Sequence, residues 1–274
     1  MHPIFLKIGS FEIRWYGVMA AIAFLVGLRW ASRRGRSAGF HPDDIPNFCF
    51  FGLLFGILMA RVFYVITYWD KEFSGRLSEI PRIDHGGIVF YGGAIGGLLT
   101  AIVFCRIKKI PFLKFADVLA PPFALAHAFG RIGCFMNGCC FGKPTTMPWG
   151  VEYPIESGIF GHVHPTQLYE ATFLLYLAFA LMLIDRTKKF PGQTFASYGL
   201  LYSIWRFIVE YWRGDIPHDH FGLTNAQCVS IVIFFAAWVW LTRQRKAWAR
   251  LRRDQILGEI DQLRASSSHE RDRP

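Results

Sequence analysis

Seven stretches of this chain are apolar for long enough to cross the hydrocarbon core of a bilayer, which takes roughly 20 helical residues. They are residues 15–30, 46–69, 86–105, 112–135, 167–184, 196–212 and 222–241. No other feature constrains the fold as strongly. Lipid offers backbone N–H and C=O groups no partner, so a spanning segment must satisfy them within itself, as a helix does. The composition agrees: 18% of the 274 residues are charged and 53% hydrophobic, where a soluble domain has about a quarter charged. The predicted fold class is an all-α polytopic membrane protein with seven transmembrane helices. Residues 1–241 form the transmembrane domain, and 242–274 a basic cytoplasmic tail, partly disordered at its SSSHERDRP end for want of apolar surface. The fourth span contains Asp117, Pro121, Pro122, His127 and Arg131. It is expected to kink or break at the proline pair, because proline has no backbone donor.

Orientation follows from lysine and arginine, which collect in cytoplasmic loops. Arg29, Arg33, Arg34 and Arg36 follow the first span, Arg106, Lys108, Lys109 and Lys114 the third, and Arg186, Lys188 and Lys189 the fifth. A further basic run from Arg243 to Arg253 follows the seventh, whereas the intervening loops are balanced or poor in cations. The N-terminus is therefore expected outside and the C-terminus in the cytoplasm. The net charge of +10 is accounted for by topology and by attraction to anionic lipid head groups, with no call for nucleic acid. Residues 1–17 lack the basic start, apolar core and small-residue site of a cleavable signal peptide. Residues 8–14 are read as a short element on the outer surface.

Ionisable side chains within spans are costly, which makes each a functional candidate. They are Arg61 in the second span, Asp117, His127 and Arg131 in the fourth, Glu170 in the fifth, and Arg206 and Glu210 in the sixth, with Arg213 at its outer end. Arg206, Glu210 and Arg213, spaced four and three apart, would share one helical face, either as a self-neutralising ladder or as part of a site. Arg61 reads equally as a counter-ion. Arg131 precedes a glycine-rich loop at the end where Arg213 lies. Two guanidinium groups there suit phosphate oxygens, and an anion pore could use the same pair. Gly92 and Gly96, like Gly93 and Gly97, have the spacing that lets membrane helices approach closely, and Tyr91 and His85 flank them.

Three of the six cysteines, Cys49, Cys105 and Cys228, lie in apolar spans as small core residues. Cys134, Cys139 and Cys140 fall within GRIGCFMNGCCFGKPT, residues 130–145. A structural zinc site takes four ligands with paired short spacings. Cys139 and Cys140 are adjacent, so their side chains are expected to diverge, and no metal is expected. A disulfide from Cys134 to either neighbour, or simple packing around tight turns, both remain open.

Six segments together resemble the prolipoprotein diacylglyceryl transferases of bacterial inner membranes. In order they are RWYGVM (14–19), GILMARVFYV (56–65), GGIVFYGGAIGG (86–97), GRIGCFMNGCCFGKP (130–144), HPTQLYE (164–170) and RFIVEYWRGD (206–215). The resemblance implies a multi-pass inner-membrane enzyme that moves the diacylglyceryl group of phosphatidylglycerol onto the lipobox cysteine of a prolipoprotein signal peptide. A thioether forms and glycerol phosphate leaves, without metal or organic cofactor. It implies that Arg131 contacts the phospholipid phosphate and that Arg213 is essential, so Arg131, Arg213 and Tyr91 are the catalytic candidates. Tyr16, Arg61, Asn137, Gly138, Gly142 and Glu210 match family positions, and with His164, Glu170 and Arg206 they are the substrate-binding candidates. Two departures stand out. Tyr91 occupies a position where many members have histidine, and Cys134 and Cys139 stand where the common GNFxNGE signature has asparagine and an acid. Because an ordinary tyrosine titrates near 10, Tyr91 suits hydrogen bonding better than proton removal, and His85, His164, Glu170 and Glu210 are the substitute bases. The alternatives are another phospholipid head-group or acyl transferase, or a small-anion transporter.

Overall fold

The computed structural model describes residues 3–9, 11–82, 87, 89–153, 161–214 and 222–271. Among them lie seven α-helices: α1 (Trp15–Ser37), α2 (Asp44–Thr67), α3 (Phe90–Ile107), α4 (Phe112–Asn137), α5 (Thr166–Thr187), α6 (Gln193–Val209) and α7 (Asn225–Arg271). All but α6 are long and apolar enough to cross a membrane, and the protein is a polytopic helical membrane protein. Helix α6 has 17 residues and runs on into a 3-10 turn, Glu210–Trp212. Strands β1 (Ile4–Ile8) and β2 (Phe11–Arg14) form an antiparallel hairpin ahead of α1. Strands β3 (Val151–Glu152) and β4 (His162–Val163) form a shorter antiparallel pair between α4 and α5.

Burial on the spans is inverted relative to a soluble protein. Phe50, Leu54, Leu58 and Val62, one stripe of α2 at four-residue spacing, are exposed, whereas Arg61 beside them is buried. Outward apolar and inward ionic side chains are what a hydrocarbon solvent selects.

The chain divides into two compact units, each described by itself. In the unit Phe24–Pro122, α2 and α3 pack closely through glycine. A Cβ on Gly92 would lie 2.5 Å from the Met59 carbonyl oxygen, and one on Gly96 2.7 Å from that of Phe55. The small-residue spacing is therefore a packing device here, carried by Gly92 and Gly96; Gly93 has only ordinary contacts and Gly97 open space. Ala31, Ile45, Phe104, Cys105, Phe115 and Val118 form the core of this unit. Arg61 donates to the carbonyls of Ile80 (2.8 Å), Gly87 (3.0 Å) and Glu79 (2.7 Å) and lies over the rings of Tyr64 and Phe73. Tyr91, in the first turn of α3, is exposed. His85 and Gly86 lie outside the described residues, and α3 begins at Phe90, four residues after the start read from the sequence.

The expected break in the fourth span is not present: α4 is one α-helix with Pro121 and Pro122 inside it. The reason is a donor supplied from α1. Prolines at 121 and 122 deprive the carbonyls four residues earlier, those of Asp117 and Val118, of their helical N–H partners. Arg34 occupies both vacated positions, Nε donating to Val118 O at 2.9 Å and Nη2 to Asp117 O at 3.3 Å. Arg34, counted from the sequence as a loop cation, thus works inside the last turn of α1.

In the unit Met1–Ala23 with Phe123–Pro274, α5, α6 and α7 pack in sequence order. Leu174, Leu177 and Leu181 form the buried stripe of α5, and Val209 is buried at the end of α6. Here α4 approaches the start of α1 at Gly133, whose Cβ would meet Met19 Cβ at 3.0 Å and Tyr16 Cδ2 at 3.5 Å. Helix α7 continues past Leu241 into the basic tail without interruption.

Candidate active site

The ends of α4, α5 and α6 bring Arg131, Arg206 and Glu210 together around Glu170. Arg131 Nη2 lies 3.0 Å from Glu170 Oε1, and Arg206 Nη1 lies 3.9 Å from Glu170 Oε2 and 2.9 Å from Glu210 Oε2. Tyr202 donates its hydroxyl to Glu170 Oε1 at 2.7 Å, and His127 Nε2 stands 3.9 Å from the same oxygen. Glu170 and Glu210 are almost fully buried. Two guanidinium groups and two carboxylates thus offset one another, which removes most of the cost of burying either sign alone.

Glu210 is anchored by the start of α7. Thr224 Oγ1 donates to Glu210 Oε1 at 2.9 Å and also accepts from the Gln227 N–H at 3.2 Å, while Gln227 Oε1 accepts from the Thr224 N–H at 3.0 Å. The last two bonds are a reciprocal capping box, legible in the sequence as TNAQ.

Three backbone segments, around Gly142, His164 and Trp212, cross one another near the ends of these helices. Gly142 N–H donates to His164 O (2.8 Å), Lys143 N–H to Trp212 O (2.7 Å), His164 N–H to Lys143 O (3.0 Å) and Thr145 N–H to His162 O (2.8 Å). Gly142 also forms a bridge with Arg213. This crossing has room only for glycine, since a Cβ at 142 would meet His164 Cβ at 2.6 Å and the carbonyl oxygens of His164 and Trp212 at 2.7 Å. The expectation that Arg213 continues the helical face of Arg206 and Glu210 is corrected. The helix tightens at Glu210, and Arg213 has extended backbone, φ −72° and ψ 138°, because its segment pairs with residue 142. Arg213 is buried, and Asp215 lies outside the described residues.

The cysteine turn sits in the same loop. Cys134, Cys139 and Cys140 are free thiols, and their sulfurs all lie within 4.8 Å of one another. The expected divergence of Cys139 and Cys140 is corrected: Cys140 has a φ of 65°, and this left-handed residue turns the pair onto one side. Hydrogen bonds from the Cys134 and Cys139 side chains, assisted by the Arg213 and Arg131 charges, hold the Cys140 thiol well below its ordinary value.

Of the residues singled out from sequence, Arg131, Glu170, Arg206 and Glu210 form one ionic network, and Gly142, His164 and Arg213 form the crossing beside it. Gly138, with φ 76°, turns the chain out of α4 after Asn137, the last residue of that helix. Tyr16 lies against Gly133. His164 Nδ1 meets the Tyr169 hydroxyl at 3.1 Å, and Trp149 Nε1 donates to that hydroxyl at 2.7 Å. Arg61 and Tyr91 belong to the other compact unit. Sequence reasoning left out Tyr202 and gave His127 no role, although each stands four residues before an arginine of the network and so on the same helical face. Arg131 Nε and His127 Nδ1 are buried and without hydrogen-bond partners among the described residues. A guanidinium with a buried donor to spare is suited to an anionic group.

Residues 3–243 match the family described as prolipoprotein diacylglyceryl transferase. Among similar proteins, a phosphatidylglycerol–prolipoprotein diacylglyceryl transferase of Clostridium tetani is 35% identical over 235 residues, 84% of this chain and 93% of its own. One of Listeria innocua is 38% identical over 222 residues, 78% and 80% of the two chains. One of Geobacillus kaustophilus is 34% identical over 257 residues, 91% and 95% of the two chains.

Proposed function

This chain belongs to the prolipoprotein diacylglyceryl transferase family, and from that premise we propose how its ionic network serves the reaction. The enzyme transfers the diacylglyceryl group of phosphatidylglycerol to prolipoproteins, the first step of lipoprotein maturation. The acceptor is the thiol of the lipobox cysteine in the signal peptide. Its sulfur attacks the glycerol carbon that carries the phosphate, a carbon–sulfur bond forms, the carbon–oxygen bond to phosphate breaks, and glycerol phosphate leaves. The thiol proton passes to a base.

Charge grows on the departing phosphate, so fixed cations there have the largest leverage on the barrier. The observation that carries this reading is Arg131, partly buried and held by Glu170 through one Nη, with its buried Nε free of any hydrogen bond among the described residues. Arg213 supplies the second cation, and Asn137, Gly138 and Gly142 shape the loop that receives the head group. Glu170 and Glu210 position guanidinium groups in this reading: their oxygens are engaged by Arg131, Arg206, Tyr202 and Thr224, which makes them poor proton acceptors. Of the substitute bases read from the sequence, His164, at the crossing beside the network, carries an imidazole, the side-chain class suited to proton transfer near neutral pH. Tyr91 is assigned hydrogen bonding to a substrate and Tyr16 contact with lipid. The bonds of Arg61 to three carbonyls support a clamping role. Seven spans with the N-terminus outside, in a bacterial inner membrane, complete the proposal, supported by the basic loops.

Purified protein with phosphatidylglycerol and a lipobox peptide yields a thioether-linked lipopeptide, and no product when the peptide cysteine is serine. Arg131→Ala and Arg213→Ala each lower kcat by about 100-fold or more, while Tyr91→Phe keeps measurable turnover. Ion flux in liposomes without any lipopeptide product would replace the transferase reading by the transporter.

A further inference from the structure

The transfer chemistry leaves Cys134, Cys139 and Cys140 without a task, yet the chain is folded to gather them. Adjacent side chains on an extended backbone point to opposite faces. Here the positive φ of Cys140, a conformation uncommon outside glycine, brings both sulfurs to that of Cys134 at the end of α4. The turn is fixed from several directions. Gln167 Nε2 donates to Cys139 O at 2.6 Å, Thr166 Oγ1 to Cys140 O at 2.8 Å, and the Cys139 N–H to Cys134 O at 3.2 Å. Local strain persists only where its surroundings over-determine it, and here they do so at a cysteine.

We propose that Cys134, Cys139 and Cys140 form a three-thiolate site for one thiophilic cation, with monovalent copper the ion it suits best. Thiolates select soft ions such as copper(I) and zinc(II). A metal–sulfur bond of about 2.3 Å places three sulfurs around one ion roughly 4.0 Å apart. The sulfurs already lie within 4.8 Å, so closure on an ion takes under about 1 Å per pair. Among the described residues no histidine or carboxylate joins the group. Structural zinc sites take four protein ligands, whereas copper(I) is content with three sulfurs in a plane. The neighbouring guanidinium groups of Arg131 and Arg213, whose charges act on this loop, offset the anionic charge of a trithiolate complex.

The test uses the reduced, metal-free full chain in detergent, titrated anaerobically with copper(I) against a chromophoric copper chelator. One copper binds per chain, X-ray absorption finds three sulfur neighbours, and bound metal protects all three cysteines from alkylation. Cys139→Ser and Cys140→Ser each raise the Kd at least 100-fold, whereas Cys49→Ser and Cys228→Ser leave it unchanged. The wild-type stoichiometry and absorption spectrum decide the matter even if a serine variant folds poorly. Binding below one equivalent, nitrogen or oxygen in place of sulfur neighbours, or undiminished affinity in both Cys139→Ser and Cys140→Ser would overturn the proposal.

Discussion

Glu170 balances two guanidinium groups and a phenol with one carboxylate, so its charge matters more than its volume. Glu170→Gln keeps the shape but leaves the partly buried Arg131 and Arg206 with a single counter-charge, and removing one member of a fully buried pair costs about 3–5 kcal/mol. A thermal midpoint lowered by several degrees, together with loss of activity, is the expected outcome; an unchanged midpoint would contradict the network. Arg131→Lys is expected to lose nearly as much activity as Arg131→Ala, because lysine cannot hold Glu170 through one nitrogen and offer a second to phosphate. Cys140 provides a pH signature in the metal-free protein. Its thiol is pushed down, so the thiolate survives below neutrality, where an ordinary thiol with a pKa of about 8.5 loses reactivity about tenfold per pH unit. Mass spectrometry after brief alkylation near pH 6 should find Cys140 modified ahead of Cys49, Cys105 and Cys228. Little of this was visible in the sequence. The ionic residues could be named because charge in a span is conspicuous, but pairing Glu170 with Arg131 needs two helices to meet. Convergence of Cys139 and Cys140 depends on one φ angle, which composition and spacing do not encode.

Helix α4 shows how an element can contradict its own propensities. Two prolines in an isolated segment end or kink a helix; Arg34, from 84 residues earlier, supplies donors to the two stranded carbonyls. Arg34→Ala should expose that debt: unsatisfied acceptors cost about 1–3 kcal/mol, read as a lower thermal midpoint, and activity per folded molecule should change little. Arg34→Lys should recover part of the stability, since a single ammonium can serve one carbonyl well but not both. Equal stability of Arg34→Ala and wild type would mean that the prolines need no external donor. Other elements were legible beforehand. The Gly92–Gly96 spacing announces the partner-facing stripe of α3, and the TNAQ box marks the start of α7, although the span read there began at residue 222; each is a local pattern with a local physical cause.

At the scale of the whole molecule, the orientation rests on alternating basic loops, and the status of α6 on its 17 residues plus the following turn. Cysteine-accessibility labelling should find positions 188–192 reachable from the cytoplasm and positions 214–222 from outside; both on one side would remove α6 from the count of spans. The sequence by itself determined that this is a helical membrane protein and that it resembles its family, and it supplied the roster of residues that carry charge or donate hydrogen bonds. Those properties follow from hydrophobic runs and short motifs, which are local and survive in one dimension. Only the tertiary structure decided that Glu170 is the hub, that Arg213 leaves the helix to pair beside Gly142, that α4 survives its prolines, and that three sulfurs face one another. Each of these is a contact between segments distant in sequence or a single backbone angle, set by the close approach of chains that only packing brings together.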